Sequence, residues 1–274
     1  MKKMLTRRQV GRTVALGSLV AVSTPVNSSD KESKTFVFVH GTWHGGWVWR
    51  DVRNYLTKKG HKVFTPSLTG CGDRQHLMNP NISLETHIKD ITNIIKYEEL
   101  NNIVLVGHSF AGLVITGVAD QSHEKIKEIV FLDALVPRPG RMSGISRDQN
   151  GDVSDYWLKR KEKFIDGYQM DFFSEYPMKM LVPEENYAQI EWLRKHITPH
   201  PESSWSDQLV LKNNGWKNMS RTFIHCIGQE FSQTSDNMIG PARNAKGWRF
   251  IEAPWSRNAM VTHPIELSDT LLTL

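Results

Sequence analysis

Several things are scarce in this sequence, and each scarcity excludes something. Its 274 residues contain only two cysteines, Cys71 and Cys226, too few for a disulfide framework. Residues 1–29 contain no acid at all, yet they hold Lys2, Lys3, Arg7, Arg8 and Arg12. The formal net charge of +5 is therefore local: from Asp30 onward, 29 basic residues face 29 acidic ones. A neutral body carries no basic stripe for a phosphate backbone, so no nucleic-acid partner is expected. No internal repeat and no low-complexity tract is present. His61, His76, His87, His123, His196 and His225 show no ligand-like spacing, so neither a metal nor a cofactor is expected.

What is present fits a globular chain. A hydrophobic content of 39% and a charged content of 23% do not belong to a disordered protein. About 245 residues follow the N-terminal segment, enough to bury one large core in a single domain, 30–274. The segment itself has a charged stretch over residues 6–12, a nine-residue apolar stretch over 14–22, and a small, polar tail over 23–29. That apolar stretch is too short to span a bilayer, so the layout is that of an export signal and no stable membrane anchor is expected. The paired Arg7-Arg8 resembles a twin-arginine signal, which is read by a receptor. Residues 1–29 are thus expected to send a bacterial protein to the periplasm or out of the cell. The alternative is an uncleaved amphipathic helix.

From residue 35 onward, short apolar runs alternate with helical patterns. Strands are expected over 35–40, 61–66, 102–107, 128–132, 222–227 and 248–252, and helices over 47–59, 83–98, 111–122 and 264–274. Ser83 is a candidate N-cap. Near-continuous apolar strands separated by helices predict an α/β fold, with a mostly parallel central sheet covered on both faces. The alternation breaks over about 141–214, which is polar and rich in Met and aromatic residues. This stretch is expected to be a helical cap inserted between two core strands, its aromatics either lining a pocket or fastening the insertion to the body.

The strongest chemical signal is Gly107-His108-Ser109-Phe110-Ala111-Gly112. It stands where a buried strand meets a helix, so a sharp turn would lift Ser109 Oγ above the sheet edge as a nucleophile. Small neighbours are needed there because strand and helix approach closely. Ala111 takes the place of the last glycine in the usual G-x-S-x-G pattern. After the first strand comes His40-Gly41-Thr42-Trp43-His44-Gly45-Gly46-Trp47. A loop of this kind can aim a backbone N–H at the site and, with the N–H of Phe110, form an oxyanion hole for acyl transfer.

With these motifs the chain resembles the α/β-hydrolase superfamily. Within it, the resemblance is to the esterase branch of pyrethroid-hydrolase-like esterases, plant methylesterases and hydroxynitrile lyases. The likeness runs from Phe36 to the C-terminus and includes residues 36–49, 67–74, 107–112, 131–137 and 198–201. It implies an α/β-hydrolase fold with a helical cap, Ser109 as nucleophile, Thr42 and Phe110 as the oxyanion N–H donors, and a small ester or carbonyl substrate.

A serine nucleophile needs a base, and the base needs an orienting acid. Asp133 ends the strand after the elbow helix, and in a parallel sheet functional groups gather at such ends. Glu230 and Asp236, after the next strand, are alternatives. The base is the difficulty. Look-alike esterases read A-P-x-G-H-D-x-M-x-T-x-P after the last strand, and this chain aligns without a gap over residues 253–264, with Arg257 in the histidine position. Arginine keeps its proton in proteins, so it cannot accept one from Ser109. Three outcomes are open. His263, at the start of the last helix, swings in as base. A histidine near the sheet top (His40, His44 or His200) assists. Or the site, with Arg257 as a positive donor, supports lyase-like chemistry or binding alone. The leading expectation is an exported serine carboxylic-ester hydrolase.

Overall fold

The computed structural model describes residues 32–139, 142–145, 147, 150–213, 215–228 and 242–274. The candidate export signal and the alternative acids Glu230 and Asp236 lie outside the described residues.

The elements run β1 (Thr35–Val39), α1 (Arg50–Lys58), β2 (Lys62–Phe64), α2 (Leu84–Tyr97), β3 (Ile103–His108), α3 (Ala111–Ser122) and β4 (Ile126–Leu132). Then come α4 (Asp155–Lys161), β5 (Gln169–Met170), α5 (Tyr187–Arg194), β6 (His200–Pro201) and α6 (Ser203–Ser206). The chain closes with β7 (Ser220–Cys226), β8 (Trp248–Ala253), α7 (Ala259–Thr262) and α8 (Pro264–Leu272). Six strands form one sheet in the order β2-β1-β3-β4-β7-β8, every pair parallel. All six strands and four helices expected from the sequence are present, with ends shifted by a few residues.

Strand alternation sorts the apolar side chains onto the two faces. Phe36, Phe38, Val104, Val106, Val130 and Leu132 pack on one side with Val52 and Leu56 of α1 and Leu267 and Leu271 of α8. Val37, Val39, Ile103, Leu105, Ile129 and Phe131 pack on the other with Ile88 and Ile91 of α2 and Leu113 and Val118 of α3. Burying each such side chain is worth about 1.5–3 kcal/mol. Ser83 caps α2: its Oγ accepts from Thr86 N–H at 3.1 Å, and Thr86 Oγ1 accepts from Ser83 N–H at 3.2 Å. Among the described residues no helix is long and apolar enough to cross a membrane.

The stretch between β4 and β7 holds α4, α5, α6 and the two-residue antiparallel pair β5–β6, with loops between them. Its aromatics and methionines divide. Trp157, Phe164 and Met170 make a small cluster with Ile145. Phe172, Met178 and Met180 join the α1-side core instead.

Candidate active site

β3 and α3 meet in a two-residue turn that forces Ser109 to a φ of 56°. Asp133, immediately after β4, has a φ of 42°. Left-handed backbone at non-glycine residues costs on the order of 1–3 kcal/mol and persists only where neighbours hold it. Here Ser109 N–H donates to Leu132 O at 3.3 Å, and Ser109 O accepts from Leu135 N–H at 2.9 Å. Asp133 N–H donates to Ile224 O at 2.8 Å. The elbow and the end of β4 are thereby tied to each other. Gly112 belongs to the same tie: a Cβ there would stand 2.0 Å from Leu135 O. Ala111 fits fully buried, so the departure from the usual motif is accommodated.

The loop after β1 approaches the elbow from the other side. A Cβ on Gly41 would lie 2.9 Å from His108 Nδ1 and 3.0 Å from Ser109 Cβ. This glycine lets the Thr42 peptide sit against the serine. Among the described residues, neither Thr42 N–H nor Phe110 N–H donates to a protein acceptor. The rest of Thr42 is held: its Oγ1 accepts from Trp205 Nε1–H at 3.0 Å, and its carbonyl accepts from His44 Nδ1–H at 2.7 Å. Trp205 also stacks on Phe110 with ring centroids 5.4 Å apart. The stretch between β4 and β7 thus reaches the loop and elbow directly.

Arg257 lies in the loop between β8 and α7 and is only 4% exposed. Its Nη1–H donates to Asp133 Oδ2 at 2.6 Å, and its Nη2–H donates to Ser109 Oγ at 2.7 Å. Its carbonyl accepts from His108 Nε2–H at 3.1 Å. The guanidinium therefore stands between Asp133 and Ser109, bonded to both. The Asp133 carboxylate is the ion-pair partner of this guanidinium. A cavity of about 370 Å³ borders Arg257 and Ser256, walled by Met180, Leu181, Val182 and Ile227.

The histidines offered as substitutes are elsewhere or already engaged. His263 precedes α8 as its N-cap residue, where Pro264 opens the helix. Its Nδ1 meets Thr262 Oγ1 at 2.8 Å and its ring stacks on Trp255 at 6.1 Å. The structure brings Ser109, Asp133 and Arg257 together and does not bring His263 to them. His40 gives Nδ1–H to Gly41 O at 2.8 Å and accepts from Leu68 N–H at Nε2, 3.0 Å. His44 gives Nδ1–H to Thr42 O and accepts from Asn258 Nδ2–H at 3.0 Å. Ser204 Oγ donates to Pro201 O at 2.7 Å, so His200 Nε2–H must be the donor to Ser204 Oγ at 3.0 Å. That leaves His200 Nδ1 to accept from the Cys71 thiol at 3.3 Å. Burial, outweighing their backbone bonds, lowers His40 to about 3 and His44 to about 4, and burial together with the neighbouring histidines holds His200 well below its ordinary value. All three are neutral groups with both ring nitrogens in use.

Residues 36–265 match the family model of the α/β hydrolases. The chain belongs to the α/β-hydrolase family. A carbendazim-hydrolyzing esterase from a Nocardioides species is 35% identical over 247 residues, covering 87% of this chain and 98% of that protein. Methylesterase 9 of Arabidopsis thaliana is 26% identical over 262 residues, covering 88% and 98%. Among solved structures, an extracellular α/β-hydrolase from a Paenibacillus species superposes with a TM-score of 0.71 at 25% identity, covering 88% of this chain and 98% of that one. By these relatives the chain is a carboxylesterase-type α/β hydrolase. Against this family background, three groups around the site escaped the sequence reading: His108, which anchors the Arg257 carbonyl; Asn258, which engages His44; and Trp205, which holds Thr42. Only Asn258 had a signal, since it replaces the aspartate of the look-alike motif.

Proposed function

We propose that this chain is an exported serine carboxylic-ester hydrolase that acts on small esters through Ser109, with a much reduced rate. The observation that carries the reading is the line Asp133–Arg257–Ser109 beside two unspent N–H groups. In it, Ser109 Oγ attacks the ester carbonyl, and the N–H groups of Thr42 and Phe110 receive the developing oxyanion. Each such donor is worth about 10²–10³ in rate. The Nη2–H of Arg257 donates to Oγ and favours its ionised form, while Asp133 positions the guanidinium. The proton itself leaves to solvent, because arginine cannot take it. The insertion over about 141–214 acts as a cap that shapes the substrate site. Export rests on the leader composition, and an extracellular structural relative accords with it.

A second reading has its own observation. Among the described residues the side chain bonded to Ser109 Oγ is a permanent cation, which accepts no proton and so favours lyase-like chemistry or binding without hydrolysis. Hydrolysis of p-nitrophenyl acetate by the wild type and by Ser109→Ala separates the two. Slow release that disappears in Ser109→Ala supports the hydrolase; release equal in the two proteins overturns it.

A further inference from the structure

We infer that deacylation limits this site: esters with a good leaving group acylate Ser109 in a first turnover, and the acyl group then leaves so slowly that the acyl-enzyme accumulates. This deepens the hydrolase reading and rests on Ser109 being the nucleophile.

Acyl transfer at Ser109 Oγ is two half-reactions with different demands. In acylation, a bond forms between Ser109 Oγ and the acyl carbon, and the bond to the leaving oxygen breaks. An aryloxide departs with its electron pair and needs no proton. The hydroxyl proton of Ser109 passes to solvent hydroxide, and the adjacent Nη2–H, 2.7 Å away, stabilises the oxygen anion left behind. In deacylation the demands rise. A water must lose a proton as its oxygen bonds to the acyl carbon, and Ser109 Oγ, a poor leaving group, must gain one as its bond breaks. In an ordinary site one imidazole performs both transfers.

Among the described residues, none of the groups around Ser109 is placed to perform either. Arg257 holds its protons. Asp133 is fully buried and lies beyond the guanidinium, with Oδ2 bonded to Nη1–H at 2.6 Å. His108 spends Nε2–H on the Arg257 carbonyl, and its buried Nδ1 faces Gly41. His40, His44 and His200 have both ring nitrogens engaged. His263 stacks on Trp255. Acylation by an activated ester therefore loses less than deacylation does from the same substitution, and the acyl-enzyme accumulates.

The test is a burst experiment on the full chain with p-nitrophenyl acetate, read by p-nitrophenolate release and by intact mass. The expected result is release of about one equivalent per chain, then a phase at least about 10²-fold slower. One acetyl group should remain on the Ser109 peptide after gel filtration. Hydroxylamine, which attacks the acyl carbon without help from the protein, should remove that group and restore the burst. Arg257→His should replace the burst by continuous turnover. Many equivalents released linearly with no retained acetyl group would overturn the inference and leave Ser109 as nucleophile. No acetylation of Ser109 at all would overturn the hydrolase reading as well.

Discussion

Two loops flank Ser109, and they have fared differently. In the loop after β1, Gly41 admits the Thr42 peptide, and neither Thr42 N–H nor the Phe110 N–H of the elbow has a protein acceptor among the described residues. The loop after β8 presents a permanent cation instead: Arg257 reaches both Asp133 and Ser109 and can accept no proton. The difference teaches that charge stabilisation and proton transfer are separable parts of one reaction. Backbone N–H groups supply the first, and they survive a change of side chain. In a Ser–His–Asp site a single imidazole supplies the second, and it depends on one side chain.

The largest effect that tests this contrast is gain of function. Arg257→His should raise kcat/KM for p-nitrophenyl acetate by about 10²–10⁴, the usual contribution of general base catalysis. An unchanged rate would mean that the loop after β8 is impaired by more than its arginine.

Next comes the ion pair itself. Arg257→Ala leaves the buried Asp133 carboxylate without its cation, so stability in urea should fall by about 3–5 kcal/mol. A loss below about 1 kcal/mol would show that water or another group reaches Asp133 easily.

On the other side of the serine, Gly41→Ala places a Cβ 2.9 Å from His108 Nδ1 and 3.0 Å from Ser109 Cβ. The Thr42 peptide must shift, and labelling of Ser109 by a fluorophosphonate should slow by about 10². Undiminished labelling would remove Thr42 N–H from the account.

The smallest effect belongs to His263. Replacing it by alanine removes the stacking on Trp255 and should lower stability by about 1 kcal/mol, with no change in the rate of Ser109 acylation. A fall in that rate would bring His263 back as a participant.

Much of the frame was legible in the sequence, and the reasons are local. β3 reads as a strand because all six of its residues are buried, which demands a continuous apolar run. The start of β4 was placed two residues late, because exposed Lys127 follows Ile126 there. The elbow was legible because Leu135 O leaves no room for a side chain at Gly112, so the site imposes its glycine. The pairing of Arg257 with Asp133 was not legible, because that pair spans 124 residues and the Ser109 contact spans 148. From the chain alone a lone arginine counts as a bare positive charge. The engagement of His40, His44 and His200 was hidden for the same reason: a histidine in sequence looks available until its two ring nitrogens have been given partners. Trp205 lies 163 residues from Thr42, in a stretch whose aromatics carry no periodic pattern.

The pH–rate profile of the wild type reads out the proton acceptor itself. His40 at about 3 and His44 at about 4 have lost their protons well below neutrality, so neither titrates between about pH 6 and 9. With hydroxide as the proton acceptor, Ser109-dependent release of p-nitrophenolate should rise about tenfold per pH unit across that range without a plateau. A rate that levels off through an inflection between about pH 6 and 8 would reveal an imidazole base at work and contradict the account.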